Sequence, residues 1–286
     1  MDFEKKHQED LQRLRGFRLL DDDFMTKVFE DISCAELLLR IILNDKGIRV
    51  LEAHSQRGIK NLQGRSVKLD ILAVDSHNRV FNVEVQRSDR GAGAKRARYN
   101  SALIDANVTE PGDQYEDLNE TFVIFITEND VMKAGLPIYH IDRVVRETGK
   151  LFEDEEHIIY VNSQIKDETK LGRLMHDFSC TDAKDMYNKV LADRVRYFKE
   201  DERGVEIMCR EMEIMRNQAH EEGIEKGRIM QLIKQVCVKM QKFSSAEEVA
   251  NDLVEQDVPL IQKIMNVAPD FAPDYNVNDI YNALKL

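Results

Sequence analysis

The chain has 286 residues, of which 42% are hydrophobic and 33% charged, and this composition, with only 5 prolines, argues against a disordered protein. Its length can hold one large domain or two modest ones with a real core. The formal net charge of −12 argues against indiscriminate nucleic-acid binding, because affinity for the phosphate backbone comes mostly from Lys and Arg.

Several features predict a cytoplasmic protein without a membrane partner. The charged start MDFEKKHQED lacks the apolar segment of a signal peptide. No run approaches the roughly 18 apolar residues that a membrane span needs. The four cysteines are widely spaced and form no CxxC motif, so neither a zinc site nor a disulfide framework is indicated.

The first part of the chain predicts alternating helices and strands. Residues 1–20 have the pattern of a charged leader helix, and a second helix is predicted over residues 24–43. Residues 48–52 are predicted as a strand, followed by a polar loop. Two apolar runs then form a strand hairpin over residues 68–86, and a helix is predicted over residues 94–107.

Three further strands complete the predicted sheet. Residues 121–127, TFVIFIT, are continuously apolar, as in a central strand. Residues 137–141 and 157–161 are predicted as shorter strands. The order of elements predicts an α/β (α+β) fold in which helices flank one mixed central sheet.

The chain becomes helical from about residue 182. Ala219, Gly223 and Gly227 recur every four residues on one helix face. A glycine inside a helix costs about 1 kcal/mol relative to alanine. We therefore expect either helix–helix packing at this face, within the chain or across a homodimer, or a break near Gly223.

A small helical cap with a tail is predicted after this region. Ser244 and Ser245 each have Glu three residues later, the pattern of a capping box. Helices are predicted over residues 246–256 and 259–267. The predicted division of the chain is a leader helix at 1–20, a main α/β domain at 21–181, a long helical region at 182–243 and the cap with its tail at 244–286.

The hairpin carries one acid on each strand. If its turn is centred on His77, Asp70 and Glu84 lie directly opposite each other, with Cβ atoms roughly 4.5–5.5 Å apart. Carboxylates this close repel each other, and a divalent cation between them is the usual remedy. Gln86 shares the face of Glu84, because strand side chains alternate. The cluster indicates a metal-dependent phosphodiesterase site. A solvated sheet face is the structural alternative.

Seven phrases along the chain resemble a known family. They are DDDFMTKVF, LLRIILN, LDILA, FNVEVQRSD, KRARYNSALID, GDQYEDLNETFVIFIT and GLPIYHIDR. Together with Asp70 and Glu84-x-Gln86, they resemble the PD-(D/E)XK nuclease superfamily in its transposase-like branch, the recombination-promoting nuclease and putative transposase family. The resemblance implies a restriction-endonuclease-like fold over residues 21–181. The chain departs from the pattern in having Leu69 before Asp70, where the superfamily has Pro, and Gln86 where it usually has Lys.

The resemblance also implies roles for the residues of the hairpin. Asp70 and Glu84, with the backbone carbonyl of Val85, would hold Mg²⁺ or Mn²⁺. Gln86 would contact the attacking water or a phosphate oxygen, without the positive charge of lysine. The superfamily often adds an acid from the first helix, for which Glu30 is the candidate and Asp22 the alternative.

Basic residues follow the hairpin. Arg87 directly follows the hairpin and is expected to face the opposite side of the strand from Glu84, so a base from the next helix is the better candidate to assist catalysis. On that helix Lys95, Arg98 and Tyr99 share a face. The resemblance, through an Arg-x-x-Tyr pattern, indicates Arg96 and Tyr99 as the residues that contact nucleic acid. A solvated helix face is the alternative for the bases, and core packing is the alternative for the Tyr99 ring.

The main functional hypothesis is a Mg²⁺-dependent DNA endonuclease of the transposase-like, recombination-promoting type. A non-cleaving relative that keeps the fold as a DNA-binding or oligomerising module is the second hypothesis, favoured by Gln86 and the acidic net charge. A third is an interaction protein built on the C-terminal helices. No Walker loop, no G-x-S-x-G motif and no Cys/His pair supports another class of enzyme.

Overall fold

The computed structural model of the chain describes residues 3–61, 64–87, 89–109 and 112–284. The α-helices of these residues are α1 Phe3–Gly16, α2 Asp22–Phe29, α3 Ile32–Ile42, α4 Ala94–Val108, α5 Lys170–Ser179, α6 Lys189–Glu200, α7 Glu202–Lys239, α8 Ala246–Leu253, α9 Val258–Val267 and α10 Val277–Leu284. The strands are β1 Val50–Ile59, β2 Val67–Asp75, β3 Val80–Gln86, β4 Thr121–Thr127, β5 Ile138–Ile141, β6 Val144–Val145, β7 Lys150–Leu151 and β8 Glu156–Asn162.

Six strands form one mixed sheet in the order β1-β2-β3-β4-β8-β5. The first three are antiparallel neighbours, β3, β4 and β8 run parallel, and β5 pairs antiparallel with β8 at the edge. Strands β6 and β7 make a separate two-stranded hairpin. The predicted mixed α/β fold with one central sheet is therefore confirmed. Every residue of β4 is buried, as its continuous apolar sequence predicts.

Helices cover both faces of this sheet. On one face, Ala97 of α4 packs with Val123, Phe125 and Tyr160. Because side chains alternate along a strand, Asn82, Glu84 and Gln86 of β3 point to the same face as these residues. On the other face, Phe81 and Phe122 stack at a centroid distance of 5.1 Å, and α2 and α3 pack against β1 and each other. The polar side chains of β3 therefore lie beneath α4.

Three predicted elements differ from the structure. The single helix over 24–43 is two helices, because the Asp31 side chain accepts a hydrogen bond from Ser33 N and begins α3 anew. The short strand over 48–52 is the ten-residue β1, whose polar second half pairs with β2. The long helix is interrupted between α6 and α7, where the Asp201 carboxylate accepts from Arg203 N at 3.0 Å.

The chain divides into two compact units, Met1–Arg210 and Glu211–Leu286, with the division inside α7. Helix α7 passes through Gly223 without a break, so the predicted break there is wrong. Gly223 and Gly227 are exposed, and a Cβ at either would have no atom of the described residues within 4 Å. Among the described residues of the second unit, none therefore packs against these two glycines. The wider functional boundaries at residues 21, 181 and 243 remain predictions.

The second unit has its own core. Ile233 and Val236 of α7, Val249 of α8 and Ile261 of α9 are fully buried in one cluster. The capping box predicted at the start of α8 is present, between Ser245 and Glu248. None of the described helices combines the length and the apolar character that crossing a lipid bilayer requires.

Candidate active site

The antiparallel hairpin of β2 and β3 sets the site. Ile71 pairs with Val83, and the same register, centred on His77, places Asp70 directly opposite Glu84. The predicted turn is thus confirmed. Asp70 is 8% exposed and Glu84 is 0% exposed, so this pair is more deeply buried than a solvated sheet face would allow. Two buried carboxylates side by side require compensating positive charge or protonation.

Each carboxylate accepts a hydrogen bond from the backbone of the opposite strand. Val85 N donates to Asp70 Oδ2 at 3.1 Å, and Asp70 N donates to Glu84 Oε1 at 3.4 Å. In an extended strand the N–H and C=O of one residue point towards the same neighbouring strand. The carbonyl of Val85 therefore lies on the β2 side of β3, the side of Asp70.

The β1 strand is distorted beside the site. Ser55 pairs with Ile71 and Arg57 with Leu69, so Gln56 lies across from Asp70. Gln56 has a φ of 51°, in the left-handed region, which costs a non-glycine residue about 1–2 kcal/mol. Backbone strain of this kind concentrates at functional sites, where the surrounding structure maintains it.

Two buried asparagines, which the sequence analysis missed, hold Glu84. Asn82 Nδ2 donates to Glu84 Oε1 at 2.9 Å, and Asn100 Nδ2 of α4 donates to Asn82 Oδ1 at 3.1 Å. Both amides are at most 1% exposed. The signal for Asn82 was its position two residues before Glu84 on the same strand face. Asn100 could not be found in this way, because it belongs to another element.

Arg96 of α4 is the cation that the structure brings to the pair. Its Nη2 contacts Glu84 Oε2 at 2.5 Å, and its Nη1 donates to the Gly91 carbonyl at 3.0 Å and to Gln86 Oε1 at 3.5 Å. A Cβ on Gly91 would lie 1.7 Å from Gln86 Oε1, so a larger residue there would displace the Gln86 side chain from this position. The structure thus brings a basic residue of α4, rather than Arg87, to Glu84.

Burial dominates the electrostatics of the acids. It raises the pKa of Asp70 well above its usual range, and the neighbouring carboxylates of Glu84 and Asp22 raise it further. Burial also raises the pKa of Glu84, although the hydrogen bond from Asn82 and the charge of Arg96 oppose this shift. The chemistry of the donors fits a divalent cation, because two carboxylates and a backbone carbonyl are the hard oxygen ligands that Mg²⁺ and Mn²⁺ take.

The two predicted acids of the first helix lie in different surroundings. Glu30 is exposed at the end of α2, and its Oε1 accepts from Lys27 Nζ at 3.1 Å and Ser55 Oγ at 2.7 Å. Asp22 begins α2 and acts electrostatically on both Asp70 and Glu84. The structure therefore brings Asp22 to the pair and directs the carboxylate of Glu30 to β1.

The other predicted contact residues lie in three different surroundings. Arg87, the residue after β3, forms ion pairs with Asp21 at 3.0 Å and with Glu128 at 3.4 Å. The ring of Tyr99 packs against the cluster that contains Leu69 and Leu103, which is the core alternative considered for it. Lys95 and Arg98 lie exposed at the start of α4.

A second group of possible metal ligands lies at the end of α5. His176, Asp177 and Cys180 have ligand atoms within 4.8 Å of one another. Both oxygens of Asp177 already accept hydrogen bonds, from Tyr187 N at 2.7 Å and from Asn188 N at 2.8 Å. Burial raises the pKa of Cys180 to about 11, which disfavours the thiolate that binds metal. We interpret this group as a structural cap.

Comparison with known protein families decides the identity of the region that holds these residues. Residues 36–173, from the middle of α3 to the start of α5, match the family model described as PD-(D/E)XK nuclease family transposase. This region is a PD-(D/E)XK nuclease family transposase domain. We call residues 36–173 the nuclease-family domain. Its mixed sheet and the flanking helices form a restriction-endonuclease-like fold, which the C-terminal helices follow.

Asp70, Glu84, Gln86 and Arg96 all lie inside the matched region, whereas Asp22 precedes it. The nuclease superfamily generally uses divalent metals, in agreement with the donor set of the hairpin. Searches of curated proteins and of solved structures returned no significant match.

Proposed function

We propose that the nuclease-family domain is a metal-dependent DNA endonuclease that hydrolyses phosphodiester bonds, of the transposase-like, recombination-promoting type. The single observation that carries this proposal is the buried pair Asp70 and Glu84, in which each carboxylate accepts a hydrogen bond from the backbone of the opposite strand. A structural ion pair would place a cation between these acids. Here Arg96 contacts only one of them among the bonds described, at Glu84 Oε2.

The proposed ligands of Mg²⁺ or Mn²⁺ are Asp70, Glu84 and the Val85 carbonyl. Such an ion polarises a phosphoryl group and lowers the pKa of a bound water. Mg²⁺ keeps several waters and takes only one or two carboxylates, so this small set of protein ligands suffices. Asp22 is the acid of α2 that we add to the site, because it is the one that acts on the pair.

Gln86 and Arg96 share the work that a lysine performs in most of the superfamily. Gln86 can hydrogen-bond the attacking water or a phosphate oxygen, but it carries no charge and cannot serve as a base. The guanidinium of Arg96 presents its Nη1 3.5 Å from Gln86 Oε1. We assign to Arg96 the neutralisation of charge on the phosphate, and to Gln86 the orientation of the water.

One observation favours a second candidate function. The 2.5 Å contact between Arg96 Nη2 and Glu84 Oε2 occupies one of the two acids that would bind the metal. A domain in which this contact persisted would be a catalytically weak or inactive relative, acting as a DNA-binding or oligomerising module. A homodimer through the exposed face of α7 at Gly223 and Gly227 belongs to the same proposal, and analytical ultracentrifugation that gave a monomer would exclude it.

Calorimetric titration with Mn²⁺ separates the two candidates. We expect the parent protein to bind Mn²⁺, and Asp70→Asn and Glu84→Gln each to weaken binding at least about tenfold, a cost of about 1.4 kcal/mol. Asp45→Asn, which neutralises an acid outside the site, serves as the matched control and should bind like the parent. Absence of binding by the parent, or binding unchanged in Asp70→Asn, would overturn the metal-dependent proposal.

A cytoplasmic location is also part of the proposal. The four cysteines are free, with Cys34 and Cys237 buried, which suits a reducing compartment.

A further inference from the structure

The hairpin of β1 and β2 carries a local concentration of positive charge, although the chain as a whole is acidic. Residues 53–69 contain four basic residues and no acid, in a chain whose net charge is −12. All four are exposed, as are two cations in the first turns of α4. We call these six residues the hairpin basic surface: Arg57, Lys60, Arg65, Lys68, Lys95 and Arg98.

The tip of the hairpin is fixed to α4, which makes these cations parts of one surface. The Tyr99 hydroxyl donates to the Arg65 carbonyl at 2.5 Å and accepts from Asn61 Nδ2 at 3.0 Å. Asn107 Nδ2 donates to the Lys60 carbonyl at 3.3 Å. Tyr99 lies one helical turn after Lys95, so the charged start of α4 adjoins the tip of the hairpin.

The surface adjoins the candidate active site. Arg57 pairs with Leu69, the residue before Asp70. The ladder continues to the pair of Ile59 and Val67, and at about 3.3 Å per residue Val67 lies about 10 Å along β2 from Asp70. Phosphates follow one another every 3.4 Å of helix axis on each DNA strand, so about 10 Å covers about three nucleotides beside the site.

The charges of the surface are available to a ligand. None of its six cations forms an ion pair with another described residue, whereas Arg79, Arg87 and Arg96 are all paired with acids. Neighbouring unpaired cations repel each other and favour a partner with regularly spaced negative charge. A two-stranded antiparallel ribbon also has the dimensions that the major groove of B-DNA admits.

We propose that the hairpin basic surface binds the phosphate backbone of duplex DNA beside the bond that is cleaved. The inference rests on the proposed function for its choice of DNA as ligand. Contacts of Lys and Arg to phosphates position a duplex without reading its sequence. The surface therefore holds the duplex in register with Asp70 and Glu84, and any sequence preference comes from elsewhere.

The test replaces the four hairpin cations by glutamine, as Arg57→Gln, Lys60→Gln, Arg65→Gln and Lys68→Gln together. The matched control removes the same number of lysines and arginines from exposed positions near the opposite end of the sheet, at Lys46, Arg49, Arg146 and Lys150. Binding of a fluorescein-labelled duplex is measured by anisotropy in EDTA, with circular dichroism as the check on folding. A charge-conserving variant, Arg57→Lys with Arg65→Lys, is measured alongside.

Each phosphate contact contributes about −0.9 to the slope of log K against log salt for duplex DNA. Loss of four contacts should reduce the slope by about 3.6, so that between about 50 and 200 mM salt the parent loses about 10²-fold more affinity than the glutamine variant. The control and the charge-conserving variant should keep the parent slope. The proposal would be overturned if the control lost as much of the salt slope as the glutamine variant, or if the glutamine variant kept the parent slope. It would also be overturned if the parent bound single-stranded DNA or RNA more tightly than the duplex.

Binding in EDTA is measured apart from cleavage, so the two proposals fail separately. If the protein binds the duplex through the hairpin but fails to cleave it in the presence of any metal tested, the result supports this surface and overturns the nuclease proposal. Metal-dependent cleavage whose KM is the same in the glutamine variant as in the parent would overturn the surface and leave the nuclease proposal standing.

Discussion

Replacing Asp70 with asparagine removes a charge that the folded protein holds at a cost. Burial, with the neighbouring carboxylates of Glu84 and Asp22, raises the pKa of Asp70 from 3.8 to about 8. At about 1.36 kcal/mol per pKa unit, ionising this group at pH 8 costs the folded state on the order of 5 kcal/mol. Asparagine can still accept the hydrogen bond from Val85 N. We therefore expect Asp70→Asn to stabilise the metal-free protein at pH 8 by about 2–5 kcal/mol.

The pH dependence of this stabilisation follows from the direction of the shift. A carboxyl whose folded pKa is raised contributes stability that is fully present below its unfolded pKa, 3.8, and is lost as the pH rises through its folded pKa, about 8. The difference between Asp70→Asn and the parent should therefore be at least about 2 kcal/mol larger at pH 8 than at pH 5.

Asp75, on the same strand and 0% exposed, provides a control of opposite sign. Burial alone would raise its pKa, but the hydrogen bonds from the Arg79 side chain and from His77 N and Arg79 N outweigh burial, and the pKa is lowered. A carboxyl whose pKa is lowered in the folded state contributes stability at pH values above its unfolded pKa. Asp75→Asn should therefore lose about 2 kcal/mol or more at pH 8, because it leaves Arg79 without its buried partner.

Urea denaturation in EDTA at pH 5 and pH 8, followed by circular dichroism, measures both effects. Adding Mn²⁺ at pH 8 should stabilise the parent and narrow its difference from Asp70→Asn, since a ligand of the folded state alone raises stability by mass action. If Asp70→Asn were less stable than the parent at pH 8, or if the difference were the same at both pH values, the assignment of Asp70 as a costly buried charge would be refuted.

Two further substitutions test the surroundings of the pair. Gly91→Ala places a Cβ 1.7 Å from Gln86 Oε1 and should lower the cleavage rate about tenfold or more by displacing that side chain, whereas Gly93→Ala, with no atom within 4 Å, should leave the rate unchanged. Steady-state cleavage of a labelled duplex compares the two, and equal rates would contradict the role of Gln86. Arg96→Gln should lower kcat about 10–100-fold, with partial recovery in Arg96→Lys, because the charge acts on the transition state. If kcat were unchanged in Arg96→Gln, Arg96 would not act on the transition state. If only KM changed, Arg96 would contribute to substrate binding alone.

The hairpin that holds the site was predictable because the residues that determine it are close together in the sequence. Apolar runs of strand length flank a short polar turn, and alternation along the strands fixes which residues share a face. The same reasoning placed Glu84 and Gln86 together, and it separated Arg87 from them. Glu84 and Gln86 share one face of β3, and Arg87, the residue after the strand, is paired with Asp21 and Glu128 instead.

The remainder of the site depends on contacts between distant segments. Asn100 reaches Asn82 across the packing of α4 on the sheet, and no pattern within either element reveals this bond. The resemblance gave Glu30 as the acid of the first helix and Asp22 as the alternative. In the structure the start of α2, at Asp22, acts on the pair, whereas the Glu30 carboxylate is bonded to Lys27 and Ser55.

The basic hairpin was missed for a similar reason. The second half of β1, HSQRGI, contains polar residues, a glycine and the left-handed Gln56, all of which favour a loop in a single sequence. Pairing with β2 overrides these preferences. A stretch that was expected to be a polar loop is therefore a strand paired with β2 beside the acids.

Nicking of supercoiled plasmid by the purified protein tests the central claim most directly. The parent, Asp70→Asn and Glu84→Gln are compared in Mg²⁺, Mn²⁺ and EDTA, with Asp45→Asn as the control for a removed acid outside the site. The account predicts nicking by the parent and by Asp45→Asn that requires a divalent metal and is lost in both site variants, with folding intact by circular dichroism. Nicking that persists in Asp70→Asn and Glu84→Gln, or its absence in the parent with every metal, would contradict the claim that this buried acid pair is a nuclease site.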